Sequence, residues 1–286
     1  MNNPQMRMSS SRIAFTLFSA FALCANLSTA LHESGHALGC WLGGGRVTEV
    51  VLRPFDFSHV SMDMGNVPPW SHMLTSGGGI LFGIMFALPL LPLSRRFPRG
   101  SIGWLILFTT VTLAFGLNGV LLLQSVATGR GDPEAVLIYA DFGYGIPRVV
   151  TRIVFVLLAI PILAVFGKLT FQLFRAFGPA PADSHAGWVT TVAASFLPYF
   201  GLMTIHTAVF GDRELLFRQM LPFYVPFILL FELLILAAAS WVYQTAGPTR
   251  EAPPAANYLN GAKAVKLFLL AAAVIAGELL FLGPRQ

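Results

Sequence analysis

The sequence predicts an all-α protein of the membrane, a polytopic bundle of about six to seven transmembrane helices that forms one integral membrane domain over residues 1–286. Of its side chains, 55% are hydrophobic and 11% are charged, whereas an ordinary soluble domain carries about 25% charged residues. Apolar runs of about 20 residues recur along the chain, and each is long enough to cross a hydrocarbon core of ~30 Å. These observations exclude a soluble enzyme.

Seven apolar segments account for most of the chain, and breaks rich in glycine, proline and arginine separate them. They cover residues 13–42, 74–93, 102–126, 149–174, 187–209, 220–243 and 264–283. The longest breaks, residues 43–73, 127–148 and 244–263, are too short to contain a further folded domain. The last of them can also fold back along the membrane surface, which leaves the number of spans open.

The charge balance predicts contact with lipid rather than with nucleic acid. The 18 Lys and Arg residues exceed the 13 Asp and Glu residues by five, but they are spread along the chain and form no basic face or tail. With seven spans and a cytoplasmic N-terminus, ten of the basic residues fall inside and eight outside. This small excess favours a cytoplasmic N-terminus and leaves the orientation open.

The first segment has two interpretations. Arg7 and Arg12, followed by an apolar stretch and by the small residues Ser28 and Ala30, are typical of a cleavable signal peptide. Cleavage after Ala30 would separate the apolar helix from the histidines that follow it and leave nothing to orient them. An uncleaved first span is therefore the better interpretation.

The end of the first segment carries an H-E-x-x-H motif formed by His32, Glu33 and His36. On a helix, positions i and i+4 lie on one face about 5–6 Å apart, so both imidazoles can reach one metal ion. Glu33 lies beside that face, where a general base can take a proton from zinc-bound water. Hydrogen bonding inside a helical bundle is the structural alternative, but polar groups within a membrane usually mark a functional site.

The motif and its surroundings resemble the site-2 proteases, intramembrane zinc metalloproteases that carry H-E-x-x-H in their first core helix. Residues 76–83, which read SGGGILFG, are similar to the small-residue stretch that opens the next helix of that family. Asn118 followed by Asp132 looks like a stretched version of the family's N…LDG segment. The resemblance covers residues 28–135, which would form the metalloprotease core.

The resemblance implies a zinc ion held by His32, His36 and Asp132, with Glu33 as the catalytic base. Asn118 is a candidate substrate-binding residue. The family's asparagine-proline-leucine-aspartate-glycine run is broken here, because no proline precedes Asp132 and a proline follows it. Asp212 is therefore kept as the rival third ligand, and a charged turn between spans is the alternative interpretation of either aspartate.

The favoured function is that of an intramembrane zinc metalloendopeptidase, which would cleave transmembrane segments of other membrane proteins in regulated intramembrane proteolysis. A membrane protein that binds or transports a metal ion without proteolysis is the main alternative, and a structural membrane subunit is a weaker one. Glu33 separates the first two, since a binding site needs no free base beside the metal.

Two further features predict contacts inside the bundle. Gly35, Gly39 and Gly43 recur at every fourth position, which predicts a close approach of another helix. Glu232 lies within the sixth segment, where a lipid-facing carboxylate would be costly, and a pairing with Lys168 of the fourth segment would compensate for its burial.

Overall fold

The structure, a computed structural model, describes residues 9–52, 58–129, 131–178, 184–210, 221–246 and 261–277. These residues form nine helices and one β-hairpin. In chain order the elements are α1 Ser10–Leu42, β1 Arg46–Val51, β2 His59–Asp63, α2 Pro69–Ala87, α3 Leu90–Ser94, α4 Ile102–Thr128, α5 Glu134–Tyr144, α6 Arg148–Phe177, α7 His185–Phe210, α8 Leu221–Ala246 and α9 Gly261–Gly277.

Four helical segments among the described residues are long and apolar enough to cross a membrane. They are Ser10–Leu42, Pro69–Ser94, Ile102–Thr128 and Arg148–Phe177, and a shorter apolar helical stretch covers Leu229–Thr245. The expected helical fold is confirmed. The length and the apolar composition of these four segments indicate a membrane protein. The expected count of six to seven spans is not reached within the described residues, where four segments meet the criterion.

The hairpin of β1 and β2 interrupts the otherwise helical chain between α1 and α2. The strands are antiparallel, with Arg46 opposite Asp63 and Val51 opposite His59, and the register shifts between Val47 and Glu49. The β-branched residues of the segment, which was expected to be a loop, favour this extended pairing. The hairpin stands next to the end of α1 that carries the H-E-x-x-H motif.

Helices α1 and α2 touch through their backbones. A Cβ atom added at Gly78 would lie 2.6 Å from the carbonyl oxygen of Gly35, and one added at Gly39 would lie 2.5 Å from the carbonyl oxygen of Leu74. Real Cβ atoms do not tolerate such distances, so only glycine permits this approach. The close helix approach predicted from the glycine repeat is therefore confirmed.

Helix α4 lies at the centre of the bundle, since 83% of its most apolar 18-residue stretch is buried. It begins after Ser101, whose side chain accepts a hydrogen bond from the backbone N–H of Trp104 at 3.3 Å. It ends at Gly129, which has a φ of 68°. A positive φ at a helix C-terminus reverses the chain, and this reversal returns the following residues toward α1 and α2.

Helices α4 and α6 run antiparallel. Gly119 of α4 lies against Leu163, and Gly116, one turn earlier in α4, lies against Phe166, one turn later in α6. The half of the bundle farther from the H-E-x-x-H motif is filled with aromatic side chains, including the fully buried Trp188, whose indole N–H donates to the carbonyl of Ala239 at 3.0 Å. The aromatic packing thus fills the half of the bundle away from the motif, and the polar groups of the motif lie in the other half.

Candidate metal centre

The last three turns of α1 present both motif histidines on one buried face. His32 and His36 are 3% and 8% exposed, and their Nε2 atoms are 3.1 Å apart. The helical repeat produces this pairing, because residues i and i+4 lie one above the other along a helix. The same uninterrupted helix continues from Ser10 through Ala30 to these residues.

Asp132 reaches the two histidines from the turn that follows α4. Its Oδ2 atom lies 2.8 Å from Nε2 of His32, and its Oδ1 atom lies 3.9 Å from Nε2 of His36. The hydroxyl of Ser76 in α2 donates a hydrogen bond to the backbone oxygen of Asp132. Gly131, with a φ of 102°, allows the turn that aims the carboxylate.

The hydrogen bonds at the Nδ1 atoms fix the orientation of both rings. Nδ1 of His32 lies 2.8 Å from Oδ1 of Asn118, whose amide nitrogen donates to the carbonyl of Ala114. Nδ1 of His36 lies 2.8 Å from the carbonyl oxygen of Thr75. Both partners are acceptors, so each Nδ1 carries a proton, and in the neutral ring each Nε2 offers its lone pair.

The donor atoms of this group fit a metal ion. Ligand atoms of His32, His36 and Asp132 all lie within 4.8 Å of one another. Around tetrahedral zinc with Zn–N near 2.0–2.1 Å, neighbouring donors are about 3.3 Å apart. The two Nε2 atoms, 3.1 Å apart, are close to this separation, and the two oxygens of Asp132 lie 2.8 Å from His32 and 3.9 Å from His36. A cation at their centre would satisfy all three donors, whereas a proton on His32 would satisfy only its contact with Asp132. The group could therefore hold a metal ion.

The carboxylate of Asp132 is suited to charge-assisted binding. The part that faces the histidines is shielded from water, which by itself raises the pKa of the carboxyl. When the histidines are protonated, the charge and hydrogen bond of His32 and the charge of His36 together outweigh burial and lower the pKa of Asp132 to about 2. Asp132 is thus ionised at neutral pH.

Glu33 lies in a cavity beside the metal group. The cavity has a volume of about 360 Å³ and is formed by α1, β2, α2 and the start of α5. Glu33 is 7% exposed, and no described residue forms a hydrogen bond or ion pair with its carboxylate. A buried carboxylate without a partner is free to exchange a proton with a group in the cavity.

Gly79 of α2 faces the two imidazoles. A Cβ atom there would lie 2.7 Å from Nε2 of His32 and still closer to Nε2 of His36. This is the space in front of the Nε2 atoms of both histidines. Glycine at this position keeps the metal group accessible to an ion, which gives the small-residue stretch 76–83 a second role besides helix packing.

The structure brings together three of the residues expected to bind metal, His32, His36 and Asp132, and sets Glu33 beside them. The rival ligand Asp212 lies outside the described residues. Asn118 is 1% exposed and contacts the back of His32, and it is not among the residues that line the cavity.

Sequence reasoning did not identify the backbone carbonyl of Thr75 as the partner of His36, because a carbonyl carries no residue-specific signal. It also did not place His59 and His72 at the cavity wall. His72 stacks on Tyr139 of α5 with ring centroids 4.4 Å apart, a contact between elements that no local pattern predicts.

Comparison with known proteins adds no family to these observations, because the chain matches no family model, no curated protein and no solved structure.

Proposed function

We propose that this protein is an intramembrane zinc metalloendopeptidase that cleaves transmembrane segments of other membrane proteins. One observation carries the proposal: two imidazoles and a carboxylate meet beside the unpartnered carboxylate of Glu33. The Nε2 atoms of His32 and His36 are 3.1 Å apart, and the oxygens of Asp132 lie 2.8 Å from the first and 3.9 Å from the second. His32, Glu33 and His36 lie near the end of the apolar helix α1, and Asp132 follows the apolar helix α4. This combination is typical of metal-assisted hydrolysis.

The donor set favours zinc among the common metal ions. Two imidazole nitrogens and one carboxylate oxygen from His32, His36 and Asp132 form a site with three protein ligands, as in catalytic zinc centres. Hard cations such as Mg²⁺ and Ca²⁺ prefer oxygen ligands alone. Zinc bound here would supply Lewis acidity, lowering the pKa of water and polarising a peptide carbonyl.

The protein's own residues hold the ion and move the proton. Asn118 and the carbonyl of Thr75 keep the Nε2 atoms of His32 and His36 directed at the site. Glu33 accepts a proton from the attacking water as the water oxygen forms its bond to the peptide carbon. Glu33 then gives this proton to the departing amine nitrogen as the peptide C–N bond breaks.

A locally extended segment is the substrate that suits this cavity. The peptide bonds of an intact helix are shielded by their own hydrogen bonds, so a transmembrane helix has to unwind before attack. The cavity wall includes the apolar side chains of Val60, Met62 and Met64 as well as the polar site. These side chains offer apolar contact to the unwound residues.

A protein that binds or transports a metal ion without proteolysis would need the same three ligands. Glu33 supports the protease over this alternative. A buried carboxylate is unfavourable unless it is paired or used, and among the described residues no side chain pairs with it. A pure binding site has no need of such a group.

Glu33→Gln tests the proposal, because the change removes the base while keeping the size of the side chain. The variant should retain about one zinc per chain, measured by elemental analysis of the purified protein, since Glu33 is not a ligand. Cleavage should fall roughly 10²-fold or more. Cleavage is measured by mass spectrometry of new termini in membrane proteins, comparing membranes that contain the wild type with membranes that contain the variant.

Glu49→Gln is the matched control, because it makes the same chemical change at an exposed carboxylate of β1. It should retain both zinc and cleavage. Undiminished cleavage by Glu33→Gln would refute the assigned base. If the wild type binds zinc but no cleavage fragment depends on Glu33, the metal-binding alternative is favoured. If the wild type contains no zinc, the metal site itself is refuted.

A further inference from the structure

A second cavity lies at the other end of α4, away from the metal group. It has a volume of about 520 Å³ and is enclosed by α3, the following turn, the start of α4 and the second half of α6. Trp104 in its wall and Asn118 at the metal group are 14 positions apart on α4, which corresponds to about 21 Å along the helix. The two cavities are therefore separate sites.

Three cationic side chains line this cavity: Arg95 and Arg99 from the turn before α4, and Lys168 from α6. Among the described residues, no carboxylate forms an ion pair with any of them. The pairing of Lys168 with Glu232 expected from the sequence is likewise not formed. Three cations around one cavity repel one another, so an anion between them would be stabilised.

Apart from Ser94 and Gln172, the rest of the wall is apolar. Trp104, Phe108 and Leu169 are each about 5% exposed or less and form its inner surface, and the partly exposed Val165 continues this surface outward along α6. Both α4 and α6 are long and apolar enough to cross a membrane. The cavity thus combines cations at a helix end with an apolar surface that follows the helices.

We infer that this cavity binds the headgroup of an anionic phospholipid. The phosphate would lie between Arg95, Arg99 and Lys168, and an acyl chain would follow Val165 and Leu169. Basic pockets between transmembrane helices are typical sites for such headgroups. Three cations match a headgroup with two negative charges, such as that of cardiolipin, better than one with a single charge. A free phosphate ion would leave the apolar surface uncovered.

This lipid site is independent of the proposed protease activity, so it is tested by binding alone. The full-length protein in a neutral detergent is titrated with cardiolipin, with phosphatidylcholine and with inorganic phosphate, and binding is measured by native mass spectrometry. Cardiolipin should bind at least tenfold more tightly than phosphatidylcholine. Inorganic phosphate at millimolar concentration should displace little of it, because phosphate lacks the apolar part.

Arg95→Gln, Arg99→Gln and Lys168→Gln should each weaken cardiolipin binding roughly fivefold, the usual effect of one cation at a membrane surface. Arg96→Gln is the matched control. Arg96 is exposed in the same turn but does not line the cavity, and its change should have little effect. Lys168→Arg keeps the charge and should retain binding, which separates the loss of a cation from damage to the fold.

Equal weakening by Arg96→Gln and by the cavity variants would overturn the inference, because it would indicate general attraction of a basic turn to anionic lipid. Equal binding of cardiolipin and phosphatidylcholine by the wild type would overturn it without any variant. Full displacement of cardiolipin by inorganic phosphate would identify the site as one for free phosphate instead. Tighter binding of an acidic peptide than of cardiolipin would identify it as a protein-docking site.

Discussion

The side-chain oxygen of Asn118 accepts a hydrogen bond from Nδ1 of His32 at 2.8 Å, although 86 positions separate the two residues in the sequence. The amide nitrogen of Asn118 is held by the carbonyl of Ala114 in its own helix. Helix α4 therefore fixes which nitrogen of His32 faces Asp132. In metal sites such outer partners orient the ligand and tune its basicity.

Asn118→Ala should weaken zinc binding by roughly 10- to 100-fold, the usual effect of removing an outer partner of a histidine ligand. The affinity is measured by competition with a chromogenic zinc chelator. Asn26→Ala serves as the control, because Asn26 is also buried and donates to a carbonyl of its own helix but does not touch the metal group. Equal affinities for all three proteins would show that Asn118 does not orient His32.

Asp132→Ala should reduce the zinc retained by the purified protein well below one ion per chain. The substitution removes the only carboxylate among the described residues that lies within 4.8 Å of both histidine nitrogens. Elemental analysis after gel filtration gives the stoichiometry, and Asp212→Ala is analysed in parallel. Loss of zinc in the Asp212 variant with retention in the Asp132 variant would reverse the assignment of the third ligand.

Gly79→Ala should prevent zinc binding while leaving the helices in place. The added methyl group would enter the space between the Nε2 atoms of His32 and His36. Gly77→Ala is the matched control in the same turn, because a Cβ atom there meets only Val136, at an ordinary 3.4 Å. Circular dichroism verifies the helix content of both variants, and full zinc occupancy in Gly79→Ala would contradict the placement of the ion.

Cysteines introduced at Glu49 and Arg96 should react with an impermeant thiol reagent from opposite sides of the membrane. Both positions are exposed, and the helical segment Pro69–Ser94 between them is long enough to span. The native Cys24 and Cys40 are free and buried, so they should add little background labelling. Labelling of Glu49→Cys and Arg96→Cys from the same side would show that this segment does not cross.

The sequence predicts the features that depend on local spacing. His32 and His36 share a face because four positions nearly complete one helical turn, and Gly35 and Gly39 recur at the same spacing, which predicts the approach of α2. The third candidate ligand depended on resemblance, because Asp132 is 100 positions from His32. No periodicity in the sequence encodes that contact.

Two elements were not predicted. Helix α5, Glu134–Tyr144, falls in the expected loop 127–148, because 11 residues are too few to give the hydropathy signal of a span. The hairpin of β1 and β2 falls in the expected loop 43–73, since its strands of six and five residues are too short to be distinguished from an extended loop. Both elements form walls of the cavity that contains Glu33.

Three consecutive glycines, Gly77, Gly78 and Gly79, give α2 its lowest intrinsic helix stability in the turn that lies against the metal group. Each glycine disfavours helix by about 1 kcal/mol relative to alanine, so this turn depends on its contact with α1. The adjoining Thr75 and Ser76 hold His36 and Asp132. Separation of α1 from α2 would therefore release both candidate ligands together, so we expect retention of an ion to depend on the lateral pressure that holds the two helices in contact. Zinc should dissociate faster from protein in a loosening detergent than from protein in lipid nanodiscs.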